Sequence, residues 1–203
     1  TPLVEEKPDH HGRRRELGFA KVTLGRALLL RGKIEEAEQQ IRSGVEIYES
    51  LVQLFPALPE FSERLRFSYN QLSWALRSLR RFPEAEETAR QAIALPPLDL
   101  GTDYWDMCTL GWSYHDLGEA IREQGRIEEA VGSFRQALRV FESVLAEQPD
   151  RGAASDALAT IVRQLALVLQ GMGEFAEAEA LLREQLTRSR ELLGEQHPHT
   201  ARA

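Results

Sequence analysis

Apolar residues recur along this chain with the spacing of one face of an α-helix. After Gly125 they stand three or four positions apart from Ile127 to Leu145. A similar stripe follows Gly32, and charged residues fill the positions between the apolar ones. Because an α-helix returns to the same face every three to four residues, each stripe predicts a long amphipathic helix.

A short motif marks the start of each such stripe and occurs four times. It consists of a turn residue, an apolar residue two places later, acidic residues and then an alanine. A near-constant interval along a whole chain is typical of repeat proteins. The four alanines, which lie 48, 45 and 48 residues apart, are Ala37, Ala85, Ala130 and Ala178.

A second amphipathic helix is predicted before each turn, so that the repeating unit is helix–turn–helix. The turn residue is Gly in three copies and Arg80 in the second. We expect it to end the helix in the left-handed conformation, which glycine adopts at little cost. A small residue after a recurring leucine predicts close approach of the two helices. These small residues are Gly25, Ser73, Gly118 and Ala166.

The third copy resembles the tetratricopeptide repeat (TPR) in the residues that stand at its recurring positions. They are Tyr114, Leu117, Gly118, Ile121, Gly125, Ala130, Phe134 and Ala137. The resemblance implies an all-α fold: a right-handed α-α superhelix, or solenoid, of about four repeats and eight long helices. A standard TPR has about 34 residues, so these copies resemble the longer repeats of kinesin light chains. They also resemble TPR arrays of bacterial multidomain proteins, some of which carry Ser/Thr kinase domains.

Prolines and turn residues divide the chain into expected segments. Residues 1–8 are expected to be a flexible lead and 194–203 a tail or the start of a further repeat, on either side of a solenoid over 9–193. The stretch from Leu95 to Thr102 should shorten the second helix of the second copy, and kink or loosen the stack there. The four copies cover about residues 9–55, 59–97, 102–148 and 150–193.

Composition and charge narrow the possible functions. Leu, Glu, Ala, Arg and Lys make up half of the residues, as suits long helices. The net charge of −7 lacks the basic excess of a general nucleic-acid binder. No stretch reaches about 18 uncharged apolar residues, so no membrane span is expected. Cys108 is the one cysteine, which excludes an internal disulfide and favours a cytoplasmic protein.

No group of residues in the sequence has the spacing of a catalytic or metal site. Cys108 and His115 would lie about 10.5 Å apart along one helix, too far for a nucleophile and its base. The histidine pairs near the two termini have no third ligand at a helical spacing. Paired glutamates, as in Glu86 and Glu87, recur in the first turn of a helix and are interpreted as a solvated face. We expect no enzyme activity, no cofactor and no metal.

The hypothesis that remains is a scaffold that binds a peptide or helix in its concave groove. In TPR-like stacks the first helix of each pair lines that groove, and Arg or Asn there would suit peptide backbone or carboxylates. Ordinary solvated side chains are the competing interpretation, and for Trp112 it is packing between copies. Alternatives for the function are self-association through the solenoid ends and regulation of a linked enzyme in a larger protein. The groove candidates are Arg26, Asn70, Trp74, Arg77, His115, Arg122, Arg163 and Gln170.

Overall fold

A computed structural model describes residues 9–96, 104–149 and 151–193, which form helices joined by short turns without any strand. The eight helices in these ranges are α1 (Asp9–Leu30), α2 (Ile34–Leu54), α3 (Pro59–Ser78), α4 (Phe82–Ala94), α5 (Tyr104–Glu123), α6 (Ile127–Glu147), α7 (Gly152–Met172) and α8 (Phe175–Leu193). The structure confirms the all-α fold.

Consecutive helices pack against one another along the whole described chain. The most extensive contacts are within the first and third hairpins, α1 with α2 and α5 with α6. Each hairpin also packs on the next, through α2 with α3, α4 with α5 and α6 with α7. The molecule is therefore a solenoid of four helix–turn–helix units, as the repeat pattern predicts.

The turn inside each hairpin has the predicted left-handed residue. In the first turn the amide of Lys33 donates to the carbonyl of Leu28 at 3.0 Å, and Arg81 donates to Leu76 in the same way at 2.9 Å. Such bonds satisfy carbonyls at the end of the first helix. The left-handed residues are Gly32, Arg80, Gly125 and Gly173, with φ of 73°, 59°, 81° and 85°.

Small residues bring the two helices of a hairpin close together, as predicted. A Cβ placed on Gly25 would lie 3.0 Å from the backbone oxygen of Ala37, and one on Gly118 would lie 2.9 Å from the ring of Phe134. Neither position has room for a larger side chain, since core packing leaves few voids. The four recurring alanines are all buried, at 0 to 1 % exposed.

Glycine serves the same purpose nearer the open end of the first and third hairpins. A Cβ on Gly18 would meet the ring of Tyr48 at 3.0 Å, and one on Gly111 would meet the ring of Phe141 at 2.6 Å. Both glycines stand nineteen residues before their recurring alanine. In the second copy this position is Arg66.

Arg66 compensates for the shortened helix of the second copy. Helix α4 has only 13 residues, and the Arg66 guanidinium lies at its end. It donates to the carbonyls of Ala92 at 3.1 Å and Leu95 at 2.8 Å, and it forms a buried ion pair with Asp106 of α5. The predicted break in α4 is confirmed, but this joint between the second and third copies is held by a buried arginine.

Helix α7 is the one described helix that is long and apolar enough to cross a membrane by length and composition alone. In the structure one face of α7 is part of the core, while Leu167 and Met172 are exposed. Leu158, Ile161 and Leu165 are fully buried, and they lie in clusters with residues of α5, α6 and α8.

Candidate functional site

Helices α1, α3 and α5 approach one another on one side of the stack. Helix α3 packs directly on α5, and α1 makes a smaller contact with α3. The even-numbered helices are joined across repeats by long arginine–glutamate pairs, for example Arg135 of α6 with Glu177 of α8 at 2.6 Å. In a curved stack the elements that approach most closely lie inside, so α1, α3 and α5 form the inner, concave side.

Charged side chains from α3 and α5 form one cluster on this inner side. Arg77 pairs with Asp116 at 2.9 Å and with Glu119 at 3.5 Å. Arg122, one turn after Glu119 on α5, pairs with that glutamate at 2.9 Å. The ring of His115 approaches Asp116 at 3.4 Å. We call Arg77, His115, Asp116, Glu119 and Arg122 the inner polar cluster.

The inner polar cluster contains buried polar atoms that lack hydrogen-bond partners within the described residues. They are Nε of Arg77, Nε2 of His115, Oε1 of Glu119 and Nε of Arg122. Each unmade hydrogen bond of a buried group costs about 1–3 kcal/mol, so four at one place are unusual. These four atoms have almost no exposed surface, so their hydrogen-bonding capacity is unused in this arrangement of the side chains.

Asn70, a predicted groove residue, lies between α3 and α5. Its side-chain nitrogen donates to the carbonyl of Thr109 at 2.8 Å, and its oxygen accepts from the Ser113 hydroxyl at 2.8 Å. Asn70 thus ties the two helices together, and only 5 % of it is exposed. Trp74 is half-buried one turn later on α3, and packs beside the core of the first two repeats.

The remaining predicted groove residues lie apart from this cluster. Arg26 is exposed on α1, while Arg163 and Gln170 are exposed on α7. The structure thus gathers Arg77, His115 and Arg122, with Trp74 and Asn70 nearby on α3.

Asp116 and Glu119 were not among the groove residues predicted from sequence. Both are buried, and both face arginines, one of them on a different helix. Two acidic residues one turn apart on a helix of mostly apolar and small residues were the available signal. Their partner Arg77 is 39 residues away from Asp116 in sequence, so the pairing depends on the stacking of α3 on α5.

Cys108 and His115, which the sequence places too far apart for a nucleophile and its base, each pack against other residues on α5. Cys108 is buried, and burial raises the pKa of its thiol. The His115 ring lies against Trp112 at 5.3 Å and Phe134 at 5.9 Å between centroids. Trp112 in turn packs on Phe141 of its own repeat at 5.6 Å. It also lies beside a core cluster that includes residues of α7, in the following repeat.

One prediction about the glutamates is wrong. Glu86 does not belong to a solvated face, because its side chain is only 13 % exposed. It accepts hydrogen bonds from Arg90 at 2.8 Å, from Gln124 at 2.7 Å and from Arg126. Neighbouring Glu87 is exposed. The two helices that meet at this joint cover one glutamate of the pair and leave the other in water.

No group of three or more His, Cys, Asp and Glu side chains is placed to hold a metal in residues 9–96, 104–149 and 151–193. The histidines at 197 and 199 lie outside the described residues, and the side chain of His10 is likewise not described.

Family models agree with the repeat units seen in the structure. A tetratricopeptide repeat model matches residues 68–95, 110–150 and 158–199, which together are more than half of the chain. A second tetratricopeptide repeat model matches residues 18–43, within the first hairpin. Among curated proteins, no sequence matches this chain.

Solved structures with the same fold include two proteins with kinesin-light-chain-like repeats. BtubC (BKLC) from P. vanneervenii superposes with a TM-score of 0.61 at 23 % identity, over 83 % of this chain and 62 % of that one. A putative kinesin light chain with nearly identical TPR-like repeats from Podosopora anserina gives 0.59 at 21 %, over 96 % and 81 %. This chain thus spans less than two thirds of the BtubC chain.

Repeat spacing, hairpin geometry and the family matches agree over all four units of the stack. The chain belongs to the tetratricopeptide repeat family.

Proposed function

We propose that this protein is a non-catalytic scaffold that holds an extended peptide of a partner protein against the inner polar cluster. TPR repeats generally mediate protein–protein interaction, and their fold is typically a scaffold without catalysis. The observation that supports a groove site here is the inner polar cluster itself, in which arginines and carboxylates of α3 and α5 meet and Arg122 reaches the surface.

The chemistry of the buried polar atoms in this cluster fits a peptide backbone. Nε of Arg77 and Nε of Arg122 are donors, and Oε1 of Glu119 is an acceptor. A peptide group carries one donor and one acceptor, so a strand laid across the cluster would satisfy both kinds once these side chains turn towards it. Two arginines face two carboxylates in the cluster, which favours an uncharged ligand group over a strongly charged one.

Trp74 would supply the apolar contact beside the polar one. It stands three residues before Arg77, and therefore one turn away on the same face of α3. Half-buried tryptophans are frequent anchors in interfaces, since they remove a large apolar area from water. We infer that specificity comes from an apolar or aromatic peptide side chain seated next to Trp74.

A peptide-array screen followed by titration of the best peptide tests this proposal. Arg122→Ala should lower the binding affinity for that peptide at least about tenfold, which corresponds to roughly 1.4 kcal/mol of binding free energy. Arg139→Ala, which removes an exposed arginine from α6, is the matched control and should leave binding unchanged. Circular dichroism at each step verifies that the helices are intact.

Two outcomes would contradict the groove proposal. One is a screen in which no peptide binds the folded chain. The other is a peptide whose affinity stays the same after Arg122→Ala and Trp74→Ala, because that peptide must then bind outside the inner polar cluster.

A further inference from the structure

The outer side of the stack carries a charge pattern with the period of the repeat. An arginine five residues after the recurring alanine pairs with a glutamate one residue before the next alanine. This holds at all three joints between repeats. The pairs are Arg42 with Glu84 at 4.0 Å, Arg90 with Glu129 at 2.9 Å and Arg135 with Glu177 at 2.6 Å.

A second pair runs in the opposite sense at the first two joints. A glutamate one residue after the alanine accepts from an arginine four residues before the next alanine. At the third joint the corresponding residues are Val131 and Glu174. The two pairs are Glu38 with Arg81 at 3.4 Å, and Glu86 with Arg126.

Helix α8, which we call the trailing end, carries one half of this charge pattern. Glu179 and Arg183 stand one and five residues after Ala178. They are 59 % and 77 % exposed, and they bond to each other at 2.6 Å. At the first two joints the residues at these positions also pair with each other, but each of them pairs with the following repeat as well. At the third joint Arg135 alone does so, because the other position is Val131.

The first hairpin, whose exposed residues we call the leading end, carries the other half of the charge pattern. Lys33 and Glu36 stand four residues and one residue before Ala37. They are also exposed and bond to each other at 2.8 Å. Lys33 has the charge that would meet Glu179, and Glu36 has the charge that would meet Arg183.

The apolar residues at the two ends are complementary in the same way. Leu182 stands four residues after Ala178 and is 40 % exposed, whereas Ile41 and Phe134 at this position are fully buried. Phe134 lies in one cluster with Leu165 of the following repeat. The last described repeat therefore has an exposed apolar residue at a position that is buried in each of the other three described repeats.

Two leucines of α1 fit that open position. Leu17 and Leu24 stand twenty and thirteen residues before Ala37 and are 52 % and 50 % exposed. Every later repeat has leucine at both positions. All but one of those leucines are buried; Leu110 is half-buried. The buried ones are Leu65, Leu72, Leu117, Leu158 and Leu165.

We propose that a second copy of this chain docks head-to-tail on the trailing end. The leading end (Leu17, Leu24, Lys33 and Glu36) of one copy would cover the trailing end (Glu179, Leu182 and Arg183) of the other. This arrangement continues the repeat register across the contact. Both halves of the interface are present in this one chain, which is why the occupant is a second copy.

Such a contact does not close on itself. Its two sides are different surfaces, so each added copy leaves one leading and one trailing end free, and association is open-ended. Exposed ion pairs contribute little affinity, and the leucines would supply most of it. The charges would then set the register. Binding of a peptide at the inner polar cluster is a separate property, because that cluster lies on the concave side of α3 and α5.

Sedimentation of the whole chain from about 1 μM to about 1 mM tests the proposal. We expect the average mass to rise steadily with concentration. Leu182→Asp should weaken association by at least about tenfold, because it places a charge in the apolar contact. The control is Leu30→Asp: Leu30 is 72 % exposed on α1, and the equivalent residues Ser78, Glu123 and Gly171 are exposed in the other repeats.

A charge exchange tests the register. One variant carries Glu179→Lys with Arg183→Glu, and the other carries Lys33→Glu with Glu36→Lys. Each should associate about tenfold more weakly alone, because like charges then face each other. An equal mixture of the two should recover association, because each altered end then meets its complement.

Three results would overturn head-to-tail docking. A chain that stays monomeric at about 1 mM has no such contact. Association that stops at a dimer indicates a symmetric interface instead. Association that is unchanged by Leu182→Asp, or a mixture that does not recover, places the contact on another surface.

Discussion

At the scale of single residues, Glu86 shows how a recurring glutamate acquires a specific role. Hydrogen bonds from Arg126, with others from Arg90 and Gln124, lower the pKa of its carboxyl to about 2, although burial acts in the opposite direction. Its usual value is 4.5. The charged form of Glu86 therefore stabilises the folded state at the joint between the second and third repeats.

This shift predicts a pH-dependent contribution of Glu86 to stability. A lowered carboxyl pKa stabilises the fold fully above about pH 4.5, and the effect is lost as the pH falls towards 2. Wild type should thus be more stable than Glu86→Gln near neutral pH, and this advantage should shrink over that acidic range. Urea unfolding at a series of pH values measures the difference.

The matched control for this measurement is Glu87→Gln, the next residue along α4. Glu87 is exposed, so its replacement should change the free energy of unfolding by less than about 0.5 kcal/mol. If Glu86→Gln were equally neutral near pH 7, the bonds to Arg126 and Arg90 would not stabilise the joint.

At the scale of elements, the second hairpin shows how the stack tolerates a shortened helix. Helix α4 ends at Ala94, and Pro96 stands at the position that is Tyr48 and Phe141 in two other hairpins. The Arg66 guanidinium lies at this end of α4. Burial lowers the pKa of its guanidinium, yet the arginine has a carboxylate and backbone carbonyls as partners.

Removal of Arg66 should therefore be costly. Arg66→Ala leaves Asp106 buried without this partner, and we expect a loss of about 3–5 kcal/mol in the free energy of unfolding. Replacing both residues by apolar ones, Arg66→Met with Asp106→Leu, should recover part of that loss. Chemical denaturation of the wild type, Arg66→Ala and the double variant measures the three free energies of unfolding.

Arg64→Ala on the same helix is the control for Arg66. Arg64 is exposed, and its guanidinium lies 5.6 Å from the centroid of the Phe19 ring, a contact that is worth about 0.5–1 kcal/mol. An equal loss from both substitutions would mean that the buried pair does not hold α3, α4 and α5 together.

At the scale of the whole molecule, equivalent residues of different repeats are expected to contribute differently to the free energy of unfolding. Each hairpin buries its apolar face against the next one, and the last described hairpin has no such neighbour. Phe134 is fully buried between two repeats, whereas Leu182 at the equivalent place is 40 % exposed. We therefore expect a substitution at this position to cost more between two repeats than in the last described hairpin.

A pair of alanine substitutions at this position tests that distribution. Phe134→Ala should destabilise the chain by about 3–5 kcal/mol, because it opens a cavity between two repeats. Leu182→Ala should cost less than about 1 kcal/mol, because little buried area is lost. Thermal unfolding at low protein concentration compares them, and equal losses would contradict the stacked arrangement.

The hairpins and their turns could be predicted from the sequence because their causes are local. Apolar spacing predicts the helices, and a residue such as Gly125 or Arg80 ends them within one turn of chain. Part of the inner polar cluster was also predictable, since the first helix of each pair faces inward. Asp116 and Glu119 were missed, because only the stacking of α3 on α5 places them beside Arg77.

The repeat, the helix pairs and the left-handed turns follow from the amino-acid sequence alone, because they depend on residues a few positions apart. Stacking of the hairpins, in contrast, buries Asn70, pairs Glu86 with arginine and places the Arg66 guanidinium at the end of the short helix α4. It also decided which charges and leucines are left uncovered at the two ends. These properties depend on groups about forty residues apart, and they arise only when one hairpin stacks on the next.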